Sequence, residues 1–196
     1  MAINNAAVEQ AIKDLLTAFG KTIKGTDLEE TPRRVAGYWE ELLEGENYTN
    51  QQIAEMYGKT FKTAGNSLVV KKIENVYSHC EHHLALMYNM SVVVAYLPVE
   101  NEDGTYNVIG LSKIPRIVEL CCKRLQLQER IASDISECIK LATGSPDVYV
   151  NIIADHACVS ARGAKNEGLT DVTNLSGRFI DNPDLRNEIE RKIKCF

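Results

Sequence analysis

The sequence lacks any apolar run close to the roughly 18 residues that a membrane-spanning helix requires. Residues 1–10 also lack the basic and then apolar pattern of a secretory signal. The six cysteines fall at irregular spacing, with Cys121 and Cys122 adjacent, which is not the pattern of a secreted disulfide framework. We therefore expect a cytoplasmic protein with reduced thiols and no membrane partner.

A basic surplus is absent as well, since the formal net charge is -5. Proteins that bind nucleic acid normally show a basic surplus or a dense basic stripe, so we expect no nucleic-acid partner. A few local Arg and Lys side chains still permit a small anionic substrate. The 196 residues, 44% hydrophobic and 25% charged, are typical of one globular unit.

Histidine is scarce, and all four histidines lie within three residues of one of two cysteines. The two segments are Cys80-Glu81-His82-His83 and His156-Ala157-Cys158. Two thiolates and one imidazole would bind a tetrahedral zinc ion and leave its fourth position open, as in catalytic rather than structural sites. We therefore predict metal-assisted hydrolysis, with Cys80, His83 and Cys158 as the zinc ligands.

The alternative is that these cysteines are ordinary buried side chains and that the histidines are hydrogen-bonded surface groups. The coincidence of two Cys/His clusters favours metal binding over this alternative. The other cysteines have no histidine nearby, and for them we expect structural positions on helix faces or at the terminus. They are Cys121, Cys122, Cys138 and Cys195.

The histidines that are not assigned as ligands suggest proton transfer. An imidazole that titrates near neutrality beside an activated water suits general acid or base work, which we predict for His82 and His156. His79 has no evident partner, and we expect a supporting or surface role for it. Glu81 could orient an imidazole or accept a proton, and a structural carboxylate is an equal alternative.

Basic side chains flank the same segments. Lys113 and Arg116 lie in the first turn of a helix predicted to begin at Ser112, where free backbone amides and the helix dipole favour a phosphate. Single Arg and Lys side chains are usually solvated surface groups, so it is their clustering that suggests a phosphorylated substrate near zinc. The other basic candidates are Arg162, Lys71 and Lys72.

Helical periodicity dominates the start of the chain, and strand-forming residues follow it. We predict helices at 8–19, 31–45 and 50–57, with Thr31 as the cap of the second helix and Pro32 at its first position. The later predicted elements are strands at 68–77, 91–97, 108–109 and 147–154, and helices at 112–125, 127–139 and 183–193. Two antiparallel hairpins that frame a helix pair indicate the α+β class, preceded by an N-terminal helical layer.

These motifs, in this order, resemble the GTP cyclohydrolase I family. The resemblance is specific, because four separate motifs agree in order and spacing, and it continues in diluted form from 31–36 to the terminal helix. The motifs are Cys80-Glu81-His82-His83, Ile109-Gly110-Leu111-Ser112-Lys113-Ile114-Pro115-Arg116-Ile117-Val118, Arg124-Leu125-Gln126-Leu127-Gln128-Glu129-Arg130, and His156-Ala157-Cys158 followed by Ala161-Arg162-Gly163.

The resemblance implies an enzyme that hydrolyses GTP at the purine C8, releases formate and forms 7,8-dihydroneopterin triphosphate. It implies zinc as the cofactor, bound by Cys80, His83 and Cys158, so that water can attack C8 at neutral pH. It also implies the tunnelling fold, in which the sheets of neighbouring subunits join side by side into a pentameric barrel. Two stacked pentamers would give a homodecamer with active sites at subunit interfaces.

The resemblance also implies roles for individual residues. His82 and His156 would move protons to and from the purine nitrogen and the ribose ring oxygen, and Ser112 would assist the later ribose rearrangement. Glu129, helped by Gln128, would bind the guanine edge and reject bases that lack the matching donors. The triphosphate would be clamped by Lys113, Arg116 and Arg162.

On this basis we divide the chain into an N-terminal helical region, 1–65, and a tunnelling-fold catalytic region, 66–196, within one structural unit. Strands such as 91–97 fit an assembled barrel, since one small chain offers no second sheet to cover their edges. Two segments depart from the family pattern, because 98–107 is longer than usual and 165–176 is slightly short.

Two alternatives have a different function. A zinc-stabilised oligomeric protein that binds a purine or pterin would keep the metal without turnover, and the presence of His82, His156 and Glu129 argues against it. A zinc deaminase typically shows His-x-Glu with a later Cys-x-x-Cys. The sequence contains no Cys-x-x-Cys.

Overall fold

The computed structural model describes residues 3–195. The helices are α1 (Asn5–Ala18), α2 (Thr31–Leu42), α3 (Asn50–Tyr57), α4 (Lys113–Cys122), α5 (Gln128–Thr143), α6 (Ala157–Ser160), α7 (Arg178–Asp181) and α8 (Pro183–Ile193). The strands are β1 (Thr60–Thr63), β2 (Val69–Cys80), β3 (Leu86–Tyr96), β4 (Val99–Glu100), β5 (Tyr106–Ile109), β6 (Leu125–Gln126), β7 (Val148–His156) and β8 (Thr170–Leu175). No helix within 3–195 is both long enough and apolar enough to cross a membrane.

The centre of the protein is a five-stranded sheet in the order β6-β2-β3-β7-β8. Its long strands pair antiparallel, and only the short β6 runs parallel to β2. The helices α4 and α5 follow the first hairpin, precede the second, and pack together on one face of the sheet. The predicted α+β class is therefore confirmed, and the antiparallel sheet with a helix pair on one face is the arrangement of the tunnelling fold.

The strand β3 is buried on both faces, because its side chains alternate between two cores. Val92 and Val94 pack with the apolar stripe of α5, which includes Ile131 and Ile135. The opposite face contacts α7 and α8, and this second core consists of Val93, Ala95, Leu97, Tyr149, Phe179 and Ile189. The middle of the sheet is thus packed between two cores, and this packing defines the positions of the strand ends.

The second predicted helix ends earlier than the sequence indicates. α2 is followed by a 3-10 turn, Glu44–Asn47. Within that turn, Gly45 lies so close to α4 that an added Cβ would be 2.0 Å from the carbonyl oxygen of Leu120. The capping prediction is wrong, because Thr31 is already helical and Glu30 occupies the cap position without a side-chain hydrogen bond.

The helix predicted at 112–125 is also shorter in the structure. α4 ends at Cys122, and the next residues turn to form β6 beside β2. Ser112 occupies the cap position, but its side chain makes no capping hydrogen bond, contrary to prediction. The helix stops because Arg124 and Gln126 both turn inward to the carboxylate of Asp134.

Part of the N-terminal region, residues 3–65, packs against the later elements of the chain, and part of it does not. Ile53 of α3 belongs to the main core beneath the sheet, and β1 pairs with β5 in a second, three-stranded sheet that also contains β4. In contrast, α1 packs on α2 and has no buried residue. The division at residue 65 stays a prediction, and residues 1, 2 and 196 of its ranges lie outside the described residues.

We expect Arg124→Ala to destabilise the fold strongly. Its guanidinium donates hydrogen bonds to the carbonyl oxygens of Gly45 and Tyr48 and to the side chains of Asn50 and Asp134. The side chains of Arg124 and Asp134 are only 12% and 15% exposed. Removal of the guanidinium leaves a largely buried carboxylate without its cation, which costs about 3–5 kcal/mol. Urea unfolding would measure this loss.

The control is Arg33→Ala, because the Arg33–Glu30 pair is exposed to solvent on both sides. Exposed pairs of this kind contribute at most about 1 kcal/mol to stability. Equal losses in the two variants would contradict a special role for the buried Arg124 network.

Candidate active site

The two Cys/His segments meet because β2, β3 and β7 are neighbours in the sheet. β2 ends at Cys80, and a short turn leads to the start of β3. β7 ends at His156, which lies opposite Met87 of β3, and Cys158 follows in α6. Segments that are distant in sequence therefore lie together at one end of the sheet.

Cys80, His83 and Cys158 form a group with the geometry of a metal site. One donor atom from each lies within 4.8 Å of the other two, and Cys80 Sγ is 3.9 Å from His83 Nδ1. Donors at about 2.0–2.3 Å from a tetrahedral zinc ion are roughly 3.6–3.8 Å apart. The group is thus slightly wider than a loaded zinc site, and its two sulfurs and one imidazole suit zinc. Cys80 is buried and His83 is exposed, so the group opens toward solvent.

The thiol of Cys158 favours its protonated form in the metal-free protein. Burial is the main cause of its raised pKa, and the neighbouring Cys80 raises that pKa further, while the charge of Arg162 lowers it. Metal ligation requires the thiolate, which a divalent cation stabilises directly. Metal binding at this group would therefore release protons and weaken as the pH falls.

Gln128 fixes the orientation of the His156 ring. The buried Gln128 amide donates through Nε2 to the carbonyl oxygens of Ile152 and Thr170, at 2.8 and 3.0 Å. The atom that lies 2.7 Å from His156 Nε2 is therefore Gln128 Oε1, which can only accept. It follows that Nε2 of His156 carries a proton and that Nδ1 of the neutral ring is free to accept one.

Glu129 lies next to Gln128 in the first turn of α5, and it is exposed. Its charge and that of Asp155 raise the pKa of His156, but the larger effect is burial of the ring, which lowers that pKa. His156 is therefore neutral at pH 7. The family resemblance implies that the side chain of Gln128 helps to bind guanine, yet both its N–H groups and one lone pair of its oxygen already have partners within the chain. That assignment stays a prediction.

The turn between β2 and β3 carries His82 and Glu81. The His82 side chain is 62% exposed, and its Nε2 lies 3.9 Å from Glu81 Oε1. Glu81 accepts two hydrogen bonds from the Arg130 guanidinium, at 2.6 and 3.2 Å, and these lower the pKa of its carboxyl. Of the alternatives for Glu81, the structure favours the ionised partner of an arginine. The sequence did not single out Arg130, because nothing local links it to the turn.

Arg162 is the predicted phosphate-binding residue that lies beside the candidate metal-binding group of Cys80, His83 and Cys158. Its Nη1 is 3.1 Å from Nε2 of His83. A guanidinium can only donate hydrogen bonds, so this contact requires an unprotonated Nε2. The arginine therefore contacts a proposed ligand directly from the solvent side.

The other basic candidates lie away from the Cys80, His83 and Cys158 group, in the early part of β2 and in the first turn of α4. Leu111 and the early β2 residues Val70 and Lys71 line one cavity, which places the start of α4 near the beginning of the strand. From Lys71 to Cys80 the strand extends roughly 25–30 Å, at about 3.3 Å per residue. Within one chain, the structure thus does not bring the start of α4 to the metal-binding group. The residues concerned are Ser112, Lys113 and Arg116, with Lys71 and Lys72.

The sequence predicts a supporting or surface role for His79, but the structure buries it. The Tyr38 hydroxyl lies 2.8 Å from His79 Nε2, and the Trp39 ring meets the imidazole edge to face at 4.9 Å. Burial lowers the pKa of His79. These contacts attach α2 to the strand residue that precedes Cys80. No sequence signal revealed them, because they join distant parts of the chain.

The chain is similar to several known proteins. A dihydroneopterin aldolase from Burkholderia thailendensis, solved with bound guanine, gives a TM-score of 0.36 at 16% identity, over 56% of this chain and 93% of that chain. The chain is 44% identical to a GTP cyclohydrolase 1 from Clostridium botulinum (strain Kyoto / Type A2), over 96% of this chain and 97% of the relative. It is 45% identical to a GTP cyclohydrolase 1 from Clostridium acetobutylicum, over the full length of both. A family model of GTP cyclohydrolase I matches residues 8–194, and the chain therefore belongs to the GTP cyclohydrolase I family.

Proposed function

We propose that the chain hydrolyses GTP at C8 of the purine ring, releases formate and forms 7,8-dihydroneopterin triphosphate. The observation that carries the proposal is the meeting of Cys80, His83 and Cys158 beside His156 and Arg162 at one end of the sheet. Such a hydrolysis needs an activated water, a proton-transfer group and an anion-binding group. The same end of the sheet offers a candidate for each.

The proposed cofactor is zinc, with Cys80, His83 and Cys158 as its ligands. Three donors of these types leave one position of a tetrahedral ion open for water. When bound, zinc would supply the Lewis acidity that makes water a nucleophile at neutral pH, since such sites lower the pKa of water to roughly 7. Cys80 would hold the ion from the buried side, and His83 would hold it from the exposed side.

His156 is proposed to exchange protons with the purine nitrogen and the ribose ring oxygen. Gln128 occupies Nε2 of the neutral ring, so Nδ1 remains as the proton acceptor. His82 would be the second proton-transfer group, and its exposed position on the turn leaves it accessible to a bound nucleotide. The two histidines therefore approach the site from different segments of the chain.

We expect Gln128→Met to lower kcat roughly 10- to 100-fold, the usual effect of removing a residue that orients a functional group. The cause would be loss of the fixed His156 tautomer, so zinc content should stay at the wild-type level. Turnover at saturating GTP, zinc analysis and histidine ¹⁵N chemical shifts would measure these quantities. A wild-type kcat, with a mixture of His156 tautomers, would contradict the prediction.

Substrate binding is proposed to use Glu129 for the guanine edge, with Gln128 beside it, and basic residues for the triphosphate. When Nδ1 of His83 is a metal ligand, its Nε2 carries the proton and can no longer accept from Arg162. The Arg162 guanidinium would then be free for a phosphate oxygen. The remaining phosphate-binding residues are proposed to be Lys113 and Arg116, and Ser112 would assist the ribose rearrangement.

The position of α4 supports an active site shared between two copies of the chain. The first turn of α4 lies at the end of the helix away from Cys122, whose carbonyl oxygen accepts a hydrogen bond from Ser78 near Cys80, so the basic residues beside one metal group would come from a neighbour. Among residues 3–195, the outer edge of β8 and most of that of β2 have no strand partner, and such edges favour pairing. We propose a pentameric barrel and a homodecamer of two pentamers, located in the cytoplasm.

The test is incubation of the zinc-loaded protein with GTP, followed by assays for formate and for the fluorescence of oxidised neopterin. We expect both products in equal amounts, and loss of both after chelation of zinc, with recovery when zinc is restored. GTP binding without formate release by metal-replete, assembled protein would overturn the proposal and support a purine-binding protein without turnover.

A further inference from the structure

The turn that carries the proposed ligands is held by its backbone at both ends. The Cys80 amide donates to the carbonyl oxygen of Ala85, and Leu84 donates back to Cys80, at 2.8 and 2.9 Å. Leu84 has a φ of 52°, which a non-glycine residue adopts only under constraint. Glu81, the residue after Cys80, donates through its backbone N–H to the carbonyl oxygen of Gln126 in β6, at 3.1 Å. Between these points lie His82 and His83, whose side chains are exposed.

One side-chain contact crosses from this turn to the start of α5. The Arg130 guanidinium donates from both terminal nitrogens to the two carboxylate oxygens of Glu81. Two parallel hydrogen bonds fix direction as well as distance, which a lysine could not reproduce. Arg130 follows Glu129 directly in the chain, and Glu81 lies directly between Cys80 and His82. The pair therefore joins the proposed metal-binding turn to the proposed guanine-binding residue.

We propose that Glu81 and Arg130 are positioning residues, which hold the metal-binding turn in register with the first turn of α5. This inference rests on the proposed function. In that function, the purine ring is bound at one edge by Glu129 while its C8 must face the metal-activated water. A displacement of about 1 Å between such groups can lower a rate by roughly a hundredfold. Neither Glu81 nor Arg130 needs to touch the substrate for this effect.

The position of the pair distinguishes this role from ordinary surface stabilisation. The side chains of Glu81 and Arg130 are partly exposed, at 30% and 46%, and exposed ion pairs contribute little to folding. Loss of the pair should therefore leave the fold intact and affect the alignment of the turn. Catalysis and zinc affinity should change much more than thermal stability.

The experiment compares Glu81→Gln, Arg130→Gln and the double variant in the zinc-loaded, assembled protein. Each single variant should lower kcat roughly 10- to 100-fold, and the double variant should be no worse than either single variant, because both remove the same contact. Zinc affinity, measured by competition with a chelator, should fall in parallel, while Tm shifts by less than about 3 °C. The exchanged pair, Glu81→Arg with Arg130→Glu, should recover part of kcat.

The matched control is Arg33→Gln, which breaks another exposed ion pair and should leave kcat and zinc affinity unchanged. Variants with wild-type kcat, or losses that multiply in the double variant, would overturn the positioning role. Formate release by the wild-type protein separates this outcome from failure of the proposed function, since absence of wild-type turnover would refute the function itself.

Discussion

Cys158→Ser should abolish zinc binding and turnover together. A serine hydroxyl does not ionise to replace the thiolate, so only two donors, Cys80 and His83, would remain for the ion. We expect a loss of activity beyond the roughly 10- to 100-fold that follows changes outside the ligand set. Metal analysis of the purified variant and formate release from GTP would measure the two effects.

Two further variants test whether the loss of zinc is specific to removal of the Cys158 thiol. Cys195→Ser makes the same chemical change at an exposed thiol near the end of the chain and should keep both zinc and activity. His156→Ala should keep zinc and lose the first hydrolysis, because His156 is proposed to move protons rather than to bind metal. If His156→Ala released the metal, or if Cys158→Ser retained it, the ligand assignment would be wrong.

Glu129→Gln should greatly weaken GTP binding and reduce the preference for guanine, while zinc stays bound. The carboxylate is proposed to accept hydrogen bonds from the guanine edge, and an amide offers one acceptor and one mismatched donor in its place. In the guanine complex this contact would be buried, and loss of one partner of a buried charged hydrogen bond costs about 2–5 kcal/mol, or roughly 30- to 5,000-fold in affinity. Titration with GTP, under conditions that prevent turnover, would measure this loss.

Inosine triphosphate is the matched comparison for GTP, because it lacks the 2-amino group of guanine. The wild-type protein should bind GTP much more tightly than inosine triphosphate, and Glu129→Gln should reduce this difference. The control variant is Glu102→Gln, on the exposed turn after β4, which should discriminate like the wild type. Normal GTP affinity in Glu129→Gln would refute the assigned role.

Much of the fold was predictable because its signals are local. The apolar stripe of α5 and the β-branched run of β3 are each visible within a short window, and both elements are present, although β3 begins at Leu86 and α5 continues to Thr143. The errors occur where a distant contact decides the outcome. α4 ends before its apolar pattern does because Arg124 turns inward to Asp134, and Ser112 does not act as a cap.

The sequence by itself determined the family and the class of reaction, since the family motifs specify both, and the two Cys/His segments predict the metal donors and the proton carriers. Only the tertiary structure decided which of these residues meet. It joined Arg130 to Glu81 and Gln128 to His156, and it placed the start of α4 beside the early part of β2 rather than beside Cys80. The physical reason is that residue type and spacing set what a side chain can do, whereas the register of β2, β3 and β7 sets where it lies.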